Sequence, residues 1–473
     1  MLSMFERYKF IDYLKIYIIL QPILDILTSI SIHYLNLSVT IGIAIRILFL
    51  GFSLFYIFFG NTHPLKKYII TYLLILFIVI GFGFILNFLT KPEFYIFSEV
   101  QFLVKVLYFP IIFIALFMCF SPNQNFEQVK EKLYSAVAIA MTLLSISLFI
   151  AILTDTSHDT YKWIKSGYTG WFFAGNELSG IVAICLPIAL IYSTIKTKAL
   201  KDFIYWIPTL LLAASALLIG TKVSFFAMIM TIAIGFIISL FTWIANLNNS
   251  KGRIYLNVLI LHFILIAILS SMTPFSPSYR NLSEDVATIN KTVDESKSVE
   301  EVPQEEIEME DENNEKEPLD KKQDKPAIMD IKILNIILSS RDIYFETIYN
   351  DYVNSDILHK LFGLGYAGFY EDSPKLIEMD FFDIFFSLGV IGFILVFLPL
   401  LFVIGIIIKS LITKFKSFFH IENILLIISI GMGFGVAFLA GHVLYAPAVS
   451  IYLALSLVLL FYFNSNIISK EKI

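Results

Sequence analysis

The sequence predicts an all-α fold: a polytopic transmembrane helical bundle of about 12 spans, with one large extracytoplasmic loop between the ninth and tenth. Three observations carry this. The 473 residues are 58% hydrophobic and 15% charged, with a mean hydropathy of +0.79. A soluble globular chain carries about 25% charged and 45–50% apolar residues. Apolar runs of roughly 18 residues or more recur along the whole length. Lys and Arg concentrate in alternate loops between those runs. Together these exclude a soluble enzyme, a nucleic-acid binder and a disordered chain.

A helix satisfies its own backbone in lipid, so each long apolar run reads as one helix. The runs are 11–32, 38–60, 68–89, 100–120, 133–154, 174–194, 203–219, 222–245, 254–272, 380–408, 421–440 and 443–464. Each is near the ~20 residues that a span needs. The first is followed at once by others and reads as a retained helix, not a cleaved signal. Only Gly441 and His442 join the last two. Cys119 and Cys185 fall inside apolar runs, where a thiol packs as a small hydrophobe, so no disulfide framework is expected. No internal repeat suggests inverted halves.

Placing the N-terminus in the cytoplasm gives every cytoplasmic loop a basic pair or more: Arg7 and Lys9, Lys66 and Lys67, Lys130 and Lys132, Lys196 and Lys198, Lys251 and Arg253, Lys409 and Lys414, Lys470 and Lys472. The positive-inside bias then predicts a multi-pass plasma-membrane protein with both termini cytoplasmic. Residues 1–272 carry the first nine spans, 273–379 form the extracytoplasmic loop and 380–473 carry the last three. Within the loop, 281–330 hold 17 Asp and Glu against 6 Lys, a balance of −11. The formal net charge of −5 therefore hides +6 on the remainder of the chain. So acidic a stretch is expected to be a disordered spacer, with a cation-binding tail as the lesser alternative. Residues 331–379 are expected to be ordered and partly helical, the first half an amphipathic helix at the outer membrane face.

An ionisable side chain in a span costs about 2.5–3.5 kcal/mol or more and is a functional candidate by default. The candidates are Asp25, Arg46, Lys105 and Lys222, with Asp380 and Asp383 near the start of a span. Arg46 is about two turns, and Lys105 about one turn, from the outer end of its span. Lys222 opens the eighth span, and Arg341 and Glu378 are in the outer loop. His442 is in the last outer turn. Each has an ordinary explanation. Asp25 and Arg46 can form a structural pair, Lys105 and Lys222 can snorkel, and Arg341 can be a solvated loop charge. Glu378, Asp380 and Asp383 can cap a span, and His442 can be a turn residue. Jointly, a cationic cluster beside an acidic trio suits an anionic lipid-linked substrate with a base next to it.

FGLGYAGF holds Gly363, Gly365 and Gly368 in the spacing G-x-G-x-x-G. It follows no strand of a βαβ unit, so it is set aside as a nucleotide fingerprint. Its glycines suit a turn that packs closely.

Five segments in order resemble landmarks of the bacterial O-antigen ligase and polymerase superfamily (Wzy/WaaL-like). They are GWFFAGNELSGIVAICLPIAL (170–190), GTKVSFFAMI (220–229), SSRDIYF (339–345), LFGLGYAGF (361–369) and EMDFFDIFFSLGVIGF (378–393). The resemblance covers roughly 170–395, and the span count and topology agree over the rest. It implies an enzyme that transfers a glycan from an undecaprenyl-pyrophosphate carrier to an acceptor hydroxyl on the outer face, with no metal or other cofactor. The implied partners are the carrier-linked glycan, an acceptor glycan or lipid, and membrane lipids; nucleic acid is not among them. Lys222 matches the family's basic residue before a span and Arg341 its loop arginine, both implied to hold the pyrophosphate. The family's proposed base is a histidine eleven residues before a glycine; counted back from Gly389, that position is Glu378.

Two departures stand out. Lysine at 222 replaces a bidentate fork by a point charge. Glutamate at 378 has a reference pKa of about 4.3 and is a weaker base unless burial raises it. Polymerase against ligase, and the acceptor, stay open.

The expected reaction is inverting glycosyl transfer. Lys222 and Arg341, helped by Arg46 and Lys105, stabilise the leaving diphosphate, and Glu378 deprotonates the acceptor. Asp380 and Asp383 share a helix face and orient Glu378, contact sugar or bind a cation. Tyr344, Phe345, Tyr366 and Phe369 form a sugar platform or ordinary core. The alternative is a transporter or flippase of the same lipid-linked oligosaccharide; a non-catalytic partner of a polysaccharide machine is a third.

Overall fold

The computed structural model describes residues 7–35, 40–60, 63–120, 126–161, 165–300, 341–370 and 375–469. Among these, twelve helices are long and apolar enough to cross a membrane. The first nine are α1 (Arg7–His33), α2 (Ile41–Phe55, continued by a π turn at Tyr56–Gly60), α3 (Lys66–Thr90), α4 (Ile96–Cys119), α5 (Phe126–Leu153), α6 (Gly175–Lys196), α7 (Ile207–Ile219, entered through a 3-10 stretch Leu200–Trp206), α8 (Lys222–Ala245) and α9 (Gly252–Met272). Three further helices follow: α10 (Pro277–Glu300), α11 (Arg341–Asn354) and the short α12 (Ile357–Phe362). The last three spans are α13 (Asp380–Thr413), α14 (Ile421–Leu439) and α15 (Pro447–Ser469). A two-stranded hairpin, β1 (His158–Asp159) with β2 (Tyr168–Gly170), joins α5 to α6.

The all-α bundle and its span count agree with the hydropathy reading. The differences are local. The fifth span begins at Phe126, not 133, because the charged turn EQVKEK continues the helix. The final hairpin is wider than two residues: α14 ends at Leu439 and α15 starts at Pro447.

Helices α4, α6 and α15 form the centre of the bundle, and α3 and α13 expose most of their surface. With lipid as apolar as the side chains, close contact comes from small residues and interhelical hydroxyls. Gly433 of α14 brings that helix against Ile184 of α6 and Leu453 of α15. Beside it, Ser429 donates to the Ile184 carbonyl at 2.7 Å and pairs with Ser456 at 2.9 Å.

The glycine motif shapes the loop end of α13. At Gly389 the helix breaks, with φ 66° and ψ −176°. The carbonyls freed there are taken by the FGLGY turn: Leu364 N–H donates to Phe386 O at 2.8 Å and Gly365 N–H to Ser387 O at 3.1 Å. A Cβ on Gly363 would lie 2.1 Å from Ser387 O, and one on Gly389 would lie 2.5 Å from Leu361 O. The two glycines are therefore interlocked, and the kink has a defined cause.

The acidic loop departs from expectation at its start. Residues 281–300, expected to be disordered, belong to α10. The first turns of α10 are docked. Asn281, 2% exposed, accepts from Ser166 N–H and donates to the carbonyls of Ser166 and Gly220. Ser278 donates to Ala216 O at 3.0 Å. Mean composition over 281–330 merges these anchoring residues with the charge run behind them. Residues 301–330, and with them most of that expectation, lie outside the described residues, as do 331–340 of the expected amphipathic helix.

Candidate active site

The connections α1–α2, α3–α4, α5–α6, α7–α8, α9–α13 and α14–α15 all fall at one end of the bundle. The residues expected to form the site gather at this end, in three groups.

The first group is built where α11, α13 and the α14–α15 turn meet. Arg341, the first residue of α11, faces Glu378 (Nη2–Oε2 3.5 Å) and donates to Ala440 O at 3.3 Å. His442 Nε2 lies 3.8 Å from the same Glu378 oxygen. Glu378 and His442 both have left-handed backbones, φ 63° and 61°. Non-glycine residues persist there only when their surroundings dictate it, and such positions cluster at functional sites. Gly441 makes the approach possible: at φ 67°, any Cβ there would lie 2.4 Å from Glu378 O.

Asp380 and Asp383 supply that dictation from below. They are 0% and 2% exposed. Asp380 accepts three backbone N–H groups, from His442 (2.7 Å), Val443 (2.8 Å) and Leu444 (2.6 Å). Asp383 accepts from Ile377 N–H (2.9 Å), Met379 N–H (3.1 Å) and the Tyr445 hydroxyl (3.1 Å). Of the roles expected for these two, the contacts match orientation: each carboxylate accepts three hydrogen bonds, most of them from the two loops that carry Glu378 and His442. Tyr344, expected near substrate, has the Lys375 ammonium 4.0 Å over its ring.

The electrostatics follow from the geometry. The His442 contact, then the Arg341 charge, hold the Glu378 carboxyl below its ordinary range against the opposing effect of burial. Burial disfavours the His442 imidazolium, but Glu378, Glu177 and Asp380 outweigh it and raise its pKa above 6.5. The pair thus favours a carboxylate beside an imidazolium.

Lys222 belongs to the second group. Its Nζ is 2.9 Å from Asp285 of α10, which also takes Lys165 at 2.9 Å. Thr221 caps α8 and pairs with Ser179 of α6 at 2.6 Å. Among the described residues no contact joins Lys222 to Arg341 or Glu378. The sequence offered no sign of Asp285, one carboxylate in an acidic run.

The third group lines a cavity of about 280 Å³ among α1, α2, α4, α6 and the start of α15. Arg46 pairs with Asp25 and donates to Gln21 Oε1 at 3.4 Å. Lys105 and Glu177 face this cavity. Glu177 was missed, although a carboxylate in the first turn of a span is a legible signal.

Beneath the glycine turn is a buried pair, also missed: Lys91 and Glu99, 2.5 Å apart. Glu99 accepts from Tyr366 N–H at 2.8 Å and Lys91 donates to Tyr366 O at 2.9 Å. This clamp fixes the FGLGY turn against α3 and α4. Tyr366 and Phe369 pack in that turn, Tyr366 on Phe102 and Phe369 on His359. Phe345 instead lines an apolar groove of about 650 Å³ between α11, α13 and α14, with Tyr349, Phe382, Phe386 and Phe438. Among the described residues, no group of three or more His, Cys, Asp or Glu is arranged to hold a metal ion.

The family model described as "O-antigen ligase like membrane protein" matches residues 7–465. The chain belongs to that family. No curated protein matches it. For an O-antigen ligase-like protein, membership implies glycosyl transfer at the membrane and lipid-linked glycans as the general substrate class. In this O-antigen ligase-like protein a histidine from a different loop, His442, stands 3.8 Å from the carboxylate at position 378.

Proposed function

We propose that the protein polymerises or ligates surface polysaccharide at the outer face of the plasma membrane, by inverting, metal-independent transfer from an undecaprenyl-pyrophosphate carrier. One observation carries the reading: Arg341, Glu378 and His442 converge on strained backbone beside an aromatic groove that begins on Arg341's own helix. Basic loops at the opposite bundle end support cytoplasmic termini and an outer position for this end.

The polyprenyl tail lies in the groove lined by Phe345 and Phe438, four residues after Arg341 and two before Ala440. Arg341 then meets the diphosphate. The acceptor hydroxyl oxygen attacks the anomeric carbon as the carbon–oxygen bond to the phosphate breaks. Its proton passes to Glu378, and the lipid diphosphate leaves with the bonding electrons. Arg341 stabilises the charge growing on that leaving group. Lys222 assists once phosphate displaces Asp285; Arg46, closed on Asp25 and Gln21, and Lys105, opposed by Glu177, stay outside the diphosphate site. His442 holds Glu378 toward the acceptor.

Separate Glu378→Gln and Arg341→Ala variants test this, read as surface polymer and as lipid-linked repeat units on each leaflet. Each is expected to lower transfer by about 10²–10³-fold, the usual cost of losing a general base or a charge-stabilising group. Repeat units should accumulate on the outer leaflet. Accumulation on the cytoplasmic leaflet would mark a flippase instead, and unchanged polymer would remove these residues from the site.

A further inference from the structure

The cavity beside α6 is not used by the donor as placed above. Two of its charges are spent: Arg46 is closed on Asp25 and Gln21. Two are not. Lys105 and Glu177 face the cavity, sense each other's charge, and make no hydrogen bond or ion pair among the described residues. Holding such groups half-buried within spans is costly unless a ligand uses them.

The four charges cancel, so a diphosphate gains little there. A neutral head rich in hydroxyls gains much: Lys105 donates, Glu177 accepts, and Gln101 on the same wall does both. The cavity opens sideways. Ile47 on α2 with Phe97 and Val100 on α4 line it, and they are 46%, 54% and 45% exposed on the lipid-facing surface. Pro447 and Ala448, just after the turn that carries His442, also line it. Glu177 is near enough to His442 for its charge to act on the imidazole.

We propose that this cavity is the acceptor subsite and that the acceptor is a neutral glycolipid, entering from the membrane plane between α2 and α4. Its tail rests against Ile47, Phe97 and Val100. Its sugar head spans Lys105 and Glu177, with a hydroxyl presented to Glu378 and His442 from the side opposite Arg341's groove. The assignment as acceptor rests on the transferase reading above; the glycolipid site does not.

The test uses the full chain in nanodiscs with a diazirine-bearing dodecyl disaccharide. Crosslinks are expected at Ile47, Phe97 and Val100, and Lys105→Met with Glu177→Gln should cut them at least tenfold. Ile47→Trp, which leaves both charges, should obstruct the mouth and do the same, guarding against a misfolded double variant. Labelling no stronger than on α3, or equal displacement by phosphatidylethanolamine, overturns the site. Transfer to dodecyl disaccharide should exceed transfer to the free disaccharide at least tenfold; equal transfer overturns the acceptor assignment and leaves the transferase reading intact. Labelling without any transfer removes the transferase reading and, with it, the acceptor role, while leaving the glycolipid site.

Discussion

Asp380 accepts the backbone N–H of His442 at 2.7 Å, and so sets the turn whose imidazole reaches Glu378, two residues before Asp380 itself. Asp380 thus fixes the turn of His442, while Asp383, through the N–H groups of Ile377 and Met379, fixes the loop of Glu378. An unpaired buried acceptor would cost about 1–3 kcal/mol; here every contact is made, and backbone strain at Glu378 and His442 is what the contacts hold in place.

The pair predicts the pH profile of transfer. Glu378 must be ionised to take a proton, and its pKa lies below the ordinary 4.5, so activity should persist well into mild acid and fall only below that value. His442 supports Glu378 as an imidazolium, with a pKa above 6.5, so activity should decline again as pH rises through the folded value. His442→Gln removes the contact that most depresses Glu378; the acid limb should move to higher pH and the alkaline limb should disappear. Rates measured from pH 4 to 9 on both proteins check this. Activity that instead rises with pH through the histidine limb would make His442 the base.

Asp285 predicts a second, separable effect. Its carboxyl is partly buried, yet Lys165 and Lys222 hold it below the usual range. Its contribution to stability is therefore complete above about 3.8, the unfolded value, and is lost as pH falls through the lower folded one. Asp285→Asn should cost about 1 kcal/mol or less, because Lys222 is partly exposed. It also releases two ammonium groups. If Lys222 grips the donor diphosphate, the donor KM should fall several-fold and become salt-dependent. A donor KM that does not move assigns Lys222 to anchoring α10.

Gly389 predicts a stability effect with an internal control. Gly389→Ala forces a side chain into a positive-φ, extended-ψ backbone that is essentially confined to glycine, about 1–3 kcal/mol, and drives its Cβ to 2.5 Å from Leu361 O. Thermal unfolding in detergent should shift down by several degrees, with transfer lost because the FGLGY turn is displaced. At Gly435 a Cβ would meet nothing within 4 Å, and Gly435→Ala should leave both measurements unchanged.

Hydropathy and charge placement determined the bundle, its twelve spans and the single end at which Arg341, Glu378, Lys222 and His442 lie, because burial costs act on each residue wherever the chain goes. They also pointed to Arg46, which lines the cavity, and to glycines that pack closely. What they left undecided is pairing. His442 could be a turn residue until the turn at Gly441, held by Asp380, brought its loop onto Glu378. Asp380 looks like a free carboxylate in sequence and takes three backbone N–H groups only when the α14–α15 turn lies over it. Lys222 looks available until α10 delivers Asp285. Each outcome is a contact between elements distant in the chain, set by how helices pack, and no local pattern encodes it.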